Sequence, residues 1–198
     1  MVVLADENRY RIVQSEKRLS EWICVKKFYR SDAEYCGRLI VANDLFAEAF
    51  DLGKTGPDQL AFRATWALDF AFSYDSARLS NFCGQIVDNY LQASYSGVIR
   101  LYSKMLVKLL SIQGADLSSD WIDRIAEVTF TRLIDAAVPP SIRVWCMEIL
   151  YRLPHQESWI DEELYEVLDL YRQSHLPSLR SRAGKLYRRI RNRNKELL

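Results

Sequence analysis

The sequence predicts an all-α fold: a right-handed α-solenoid of about four helix pairs behind a short N-terminal helical segment. Three observations carry this. Apolar residues recur at helical spacing through nearly the whole chain, and strand alternation is nowhere sustained. Glycine (7) and proline (5) are too scarce for a turn-rich β protein or a linker. A short segment returns at intervals near 40 residues, the period of two-helix repeats.

The periodicity fixes the elements in order. Leu79, Phe82, Cys83, Ile86, Val87 and Tyr90 fall on one helix face. So do Ile122, Ile125, Ala126, Thr129, Phe130, Leu133 and Ile134, and then Leu179, Ala183, Leu186 and Ile190. The expected helices are 5–15, 18–29, 32–51, 58–73, 76–92, 96–112, 119–137, 140–153, 160–173 and 177–192. Their starts carry the right chemistry. Ser118-Ser119-Asp120 offers caps before Trp121, and Ser158 with Asp161 resembles a capping pair. Pro139-Pro140 and Pro177 suit a first helical turn, where a missing N–H leaves no bond unmade. Gly53–Pro57 and Gly114 punctuate helix ends.

The repeat is visible in four segments, which start at Phe62-Arg63, Ile99-Arg100, Ile142-Arg143 and Leu179-Arg180. Each pairs an apolar residue with an arginine, and the arginines are 37, 43 and 37 residues apart. A small residue follows three or four positions on: Ala67, Ser103, Cys146 and Ala183. It permits close helix approach. Each segment opens the second helix of a pair, and one pair cannot bury its own stripe without its neighbours.

Composition bounds the rest. The 198 residues include 27 basic and 26 acidic side chains, for a net charge of +1, and 49% are hydrophobic. A folded chain of this length can bury roughly 70% of its unfolded surface, and the apolar content excludes disorder. The organisation expected is one repeat domain over 1–198, with an N-terminal segment 1–30, an array 31–193 and a tail 194–198. Cys24, Cys36, Cys83 and Cys146 have apolar neighbours and no Cys-x-x-Cys spacing, so they read as reduced core thiols. The N-terminus lacks a signal-peptide pattern, and no apolar run approaches the ~18–20 residues of a membrane span. A reducing cytoplasm and no membrane partner are the expectation.

Four stretches carry a family resemblance: Arg63-Ala64-Thr65-Trp66-Ala67-Leu68-Asp69-Phe70, Phe130-Thr131-Arg132-Leu133-Ile134-Asp135, Met147-Glu148-Ile149-Leu150-Tyr151-Arg152-Leu153 and Trp159-Ile160-Asp161-Glu162-Glu163-Leu164. Over residues 30–190 the chain resembles short bacterial HEAT-like repeat proteins of unknown function, some labelled adenylosuccinate lyase. The resemblance implies a HEAT-like array. That lyase carries a Ser-Ser-x-Met-Pro-type loop and catalytic histidines, and nothing here matches the loop, so lyase chemistry stands as a remote alternative. HEAT repeats commonly place an Asp about six residues before the repeat arginine. Pro57, Ser94, Ala137 and Ser174 stand there instead, which leaves the arginines' role open.

Catalytic signals are weak. His155 and His175 are the only histidines and have no cysteine beside them, so no metal or cofactor is expected. Gly53-Lys54-Thr55 lacks the upstream glycine of a phosphate loop and follows a helix, so it reads as a helix end. Glu162, Glu163, Glu166 and Asp169 read as one solvated helix face. The repeat arginines either bond between repeats or face a ligand. In the second case Arg63, Trp66, Arg100, Arg143, Trp145 and Arg180 line a binding ridge. Residues 178–198 hold eight cations against one acid, +7, while residues 1–177 sum to −6. Arg182, Lys185, Arg188, Arg189, Arg191 and Arg193 are therefore candidates for nucleic-acid contact.

The reading that follows is a non-catalytic interaction scaffold, holding a protein or peptide partner along the concave face of the array. The alternative is nucleic-acid binding by the basic terminal helix and the arginines. HEAT-like DNA glycosylases act on duplex DNA, and Trp66 with Asp69 faintly echoes their aromatic-plus-acid site.

Overall fold

The computed structural model describes residues 18–112, 117–153 and 158–196. Among them all regular structure is helical. They fall into two compact units, one ending at Leu79 and one beginning at Ser80. The expected helix 5–15, together with Gly114 and His155, lies outside the described residues.

The first unit holds α1 (Leu19–Ile23), α2 (Arg30–Asn43), α3 (Phe46–Thr55) and α4 (Asp58–Tyr74). Helix α4 packs against both α2 and α3. Its buried face carries Ala61, Ala64, Ala67 and Ala71, so a neighbouring backbone can come close. Gly37 of α2 uses that room. A Cβ there would stand 2.7 Å from Phe70 Cβ and 3.0 Å from both the Ala67 carbonyl oxygen and the Ala71 nitrogen.

Two expectations fail in this unit. The helix expected over 32–51 is broken, because Asp44 adopts left-handed φ 53° and closes α2 with its N–H on the Ile40 carbonyl. Aspartate tolerates that conformation better than most residues, and the Arg78 guanidinium pairs with its carboxylate. The helix expected over 18–29 is α-helical only as far as Ile23. Cys24 then sits exposed, which corrects the reading of all four cysteines as core thiols. Cys36 and Cys146 are buried and Cys83 is half-buried. Burial, then the Asp32 charge, pushes the Cys36 thiol up to about 12. Burial likewise pushes Cys146 up to about 12.

The helix expected over 76–92 starts as a 3-10 segment, Ser76–Phe82, and becomes α-helical at Cys83. The second unit then runs α5 (Cys83–Gln92), α6 (Ser96–Leu110), α7 (Ser119–Ile134), α8 (Pro140–Arg152), α9 (Ser158–Tyr171) and α10 (Pro177–Glu196). Consecutive helices pair as α5–α6, α7–α8 and α9–α10. The second helices α6, α8 and α10 pack side by side as one row. Three of the expected helix starts are in place: Ser118 Oγ accepts from the Trp121 N–H at 3.3 Å, and Pro140 and Pro177 open their helices; the side chain of Ser158, expected to cap with Asp161, lies outside the described residues.

The repeat pattern places its small residues as expected. Ala67, Ser103, Cys146 and Ala183 are all fully buried on second helices. Leu179, Ala183, Leu186 and Ile190 form the inner stripe of α10. Ile134, expected on the buried stripe of α7, is instead 63% exposed. It ends that helix, and Asp135 continues as extended chain. Among the described residues no helix is long and apolar enough to cross a membrane.

Candidate functional site

The repeat arginines do not share one environment. Arg63 on α4 is 8% exposed. Its Nη1 donates to the Ile23 and Val25 carbonyls at 2.8 and 2.6 Å, and its guanidinium lies 5.3 Å from the Phe28 ring centre. Arg143 on α8 is also 8% exposed. Its Nε donates to the Leu133 carbonyl at 2.9 Å and its Nη2 to the Tyr171 hydroxyl. The Tyr171 hydroxyl donates to the same Leu133 carbonyl at 2.8 Å. Both arginines thus satisfy carbonyls at the C-terminal end of an earlier helix, where four such groups lack intrahelical partners. A cation there also suits the negative end of the helix dipole.

Arg100 and Arg180 differ. Both are exposed, and among the described residues the Arg180 side chain makes one hydrogen bond, a 3.5 Å contact with the Ser174 carbonyl. Trp66 is half-buried in an aromatic row with Phe28, Phe62 and Phe70 at 6.1, 5.5 and 6.4 Å between ring centres. Asp69, three residues on, is buried. Trp145 is half-buried on α8. Arg100, Trp145 and Arg180 are brought onto the three adjacent second helices of the second unit, whereas Arg63 and Trp66 belong to the first.

Sequence reasoning missed a third carbonyl clamp. Arg132, in the last turn of α7, donates to the Tyr90 and Ala93 carbonyls at 2.9 and 2.8 Å and stacks 4.7 Å from the Tyr90 ring centre. It sits in Phe130-Thr131-Arg132-Leu133 on a first helix, where Thr131 stands in place of the apolar residue that precedes each repeat arginine. Glu148 was also missed. It is 2% exposed on α8 and ion-paired with Arg152 and Arg182. The four-residue spacing of Glu148 and Arg152 was its sequence signal.

Helix α10 divides its cations. Arg182 pairs with Glu148, and Arg193 pairs with Asp161 of α9 at 2.8 Å. Arg180, Lys185, Arg188, Arg189 and Arg191 are exposed and have no ion pair among the described residues. On the packed neighbour α9, Glu162, Glu163 and Glu166 are exposed, and Asp169 binds Arg172 at 2.7 Å. Trp159 (36% exposed) and Leu170 (72% exposed) add apolar surface to α9. Among the described residues no group of His, Cys, Asp and Glu has metal-binding geometry, and His175 is exposed in a turn.

A family model of the HEAT repeat domain matches residues 16–190. The chain belongs to the HEAT repeat family. No curated protein and no solved structure matches it. HEAT repeats commonly serve as interaction scaffolds. In this HEAT array the buried repeat arginines are Arg63 and Arg143. They bond backbone carbonyls, for which the sequence needs no aspartate six residues earlier.

Proposed function

We propose that this HEAT repeat protein is a non-catalytic scaffold for a protein or peptide partner, held on the α9–α10 surface. One observation carries the reading: an acidic exposed face on α9 lies beside a basic exposed face on α10, with Trp159 and Leu170 exposed on α9. Mixed charge around apolar side chains matches the polar rim and apolar anchors of protein interfaces. A continuous polyanion would be repelled by Glu162, Glu163 and Glu166. Of the repeat positions, Arg100, Trp145 and Arg180 extend the surface along the second helices. Arg63 and Arg143 serve the fold. Four free thiols suit a reducing compartment such as the cytoplasm.

The test is affinity capture with the intact chain and with a Leu170→Glu, Arg188→Glu variant. Proteins retained by the first and lost by the second are then purified and rebound. The scaffold reading expects at least one direct, saturable partner; equal retention by both baits would remove the α9–α10 surface from the account.

A second reading, nucleic-acid binding, is favoured by the five unpaired cations on α10. It expects affinity for a labelled duplex to fall about 500-fold between 50 and 200 mM salt, if about five phosphates are neutralised. Absence of binding at 50 mM would exclude it.

A further inference from the structure

Charge in the second unit is sorted by helix row. The first helices of its pairs, α5, α7 and α9, carry nine acidic side chains and two basic ones. The second helices, α6, α8 and α10, carry thirteen basic side chains and two acidic ones.

The basic row has a joined outer face. On α6, Arg100, Lys104 and Lys108 follow at four-residue intervals along the side that no neighbour buries. Ser111, three residues after Lys108, accepts from Arg152 Nε at 3.2 Å, which links that stripe to α8. On α8 the same face carries half-buried Trp145, then Glu148 and Arg152. Glu148 is buried and pairs with Arg152 and with Arg182 of α10, which links the face to α10. Its charge is thus matched within the row. Lys185 and Arg189 follow Arg182 at three and seven residues, so they share its side of α10. Both are exposed, as is Arg100, and none of the three has an ion pair among the described residues.

The acidic row has its own outer face. Asp123 and Glu127 are exposed on α7, and Glu162, Glu163 and Glu166 on α9. None of them has an ion pair among the described residues. The two helices meet where Phe130 lies 6.0 Å from Trp159 between ring centres. Glu127 stands one turn before that contact, and Glu162 and Glu163 one turn after it, so acids from both helices flank one junction. Trp159 and Ile134, 36% and 63% exposed, add apolar surface there.

A chain with faces of opposite sign carries its own complement. Its net charge of +1 leaves almost no long-range repulsion between copies. Trp145 on one face and Trp159 with Ile134 on the other supply apolar anchors. We propose that the α6–α8–α10 face docks on the α7–α9 face of a second copy of this chain. The two surfaces differ, so the contact is head-to-tail and leaves one face of each kind open to further copies. The inference does not rest on the scaffold reading, which concerns a different protein.

Sedimentation velocity of the full chain tests it at about 10 mM salt, where charges act over about 30 Å, and at about 1 M, where they act over about 3 Å. The intact chain should form concentration-dependent dimers and larger species at low salt and monomers at high salt. One variant alters the basic face: Arg100→Glu, Lys185→Glu, Arg189→Glu. Another alters the acidic face: Glu127→Lys, Glu163→Lys, Glu166→Lys. Each should self-associate at least about ten-fold more weakly at low salt, with an unchanged melting temperature. Mixing the two should restore association, since each keeps the face that the other has lost. An intact chain that stays monomeric at low salt, association that persists at high salt, or a mixture no more associated than its parts would each overturn the proposal. So would tighter binding of a DNA duplex than of a second copy to the α6–α8–α10 face at the same salt.

Discussion

Arg143 is surrounded by acceptors that it alone serves by charge: the Leu133 carbonyl and the Tyr171 hydroxyl, under an aromatic ring 4.9 Å away. Removing a buried charged donor leaves those acceptors short, so Arg143→Ala should lower unfolding free energy by about 2–4 kcal/mol. Lysine cannot reproduce the fork, so Arg143→Lys should rescue little. Arg100→Ala, on the exposed counterpart, should change stability by less than about 0.5 kcal/mol. Urea denaturation of the three variants checks this contrast. The recurring arginine was readable in the sequence, but its environment was not. Whether a guanidinium meets an earlier helix end or water depends on packing with residues such as Val25 and Tyr171, which lie 38 and 28 positions away. The cysteines give a second residue-scale test. Cys36 and Cys146 titrate near 12 when folded and near 9 when unfolded. The folded state therefore holds its protons longer. The stability they contribute is complete below pH 9 and is lost as pH rises from about 9 toward 12. Melting temperature should fall across that window, and Cys36→Ala should make the fall shallower. At pH 8 a thiol reagent should label Cys24 readily and reach Cys36 and Cys146 only in denaturant.

At the scale of elements, the contact of α2 with α4 is the tightest constraint. The Gly37 position meets backbone atoms of α4 at 3.0 Å, which cannot swing aside as a flexible side chain does. Gly37→Val should therefore destabilise by about 1–3 kcal/mol or more through overpacking, measured by thermal melting. Gly184, on α10, meets nothing within 4 Å of an added Cβ. Gly184→Ala should instead be neutral or stabilise by up to about 1 kcal/mol through helix propensity. Helix identity was legible because apolar spacing and caps are local; α10 is the clear case, with Pro177 at its start and its four-residue stripe buried. The break at Asp44 was not legible, because Ile40-Val41-Ala42-Asn43-Asp44-Leu45-Phe46 carries neither Gly nor Pro. The turn there is fixed by a left-handed aspartate and by Arg78, 34 residues away.

At the scale of the whole molecule, a net charge of +1 conceals a basic C-terminal stretch and an acidic remainder. The charge count exposed that asymmetry, but only the structure divides the cations of α10 by role. Arg182 and Arg193 are engaged with Glu148 and Asp161, while Arg180, Lys185, Arg188, Arg189 and Arg191 face outward without ion pairs. In the proposed function, the acidic surface of α9 beside them favours a protein over a polyanion as partner. On that proposed function, interior arginines hold the HEAT array together while the α9–α10 surface binds. The most direct measurement is hydrogen exchange followed by mass spectrometry, on the chain alone and with a partner retained in the capture experiment. Slower exchange in peptides from 158–196, with 58–74 unchanged, is the expected result. Protection centred on 58–74, around Arg63 and Trp66, with α10 unaffected, would contradict it and return the site to the repeat arginines.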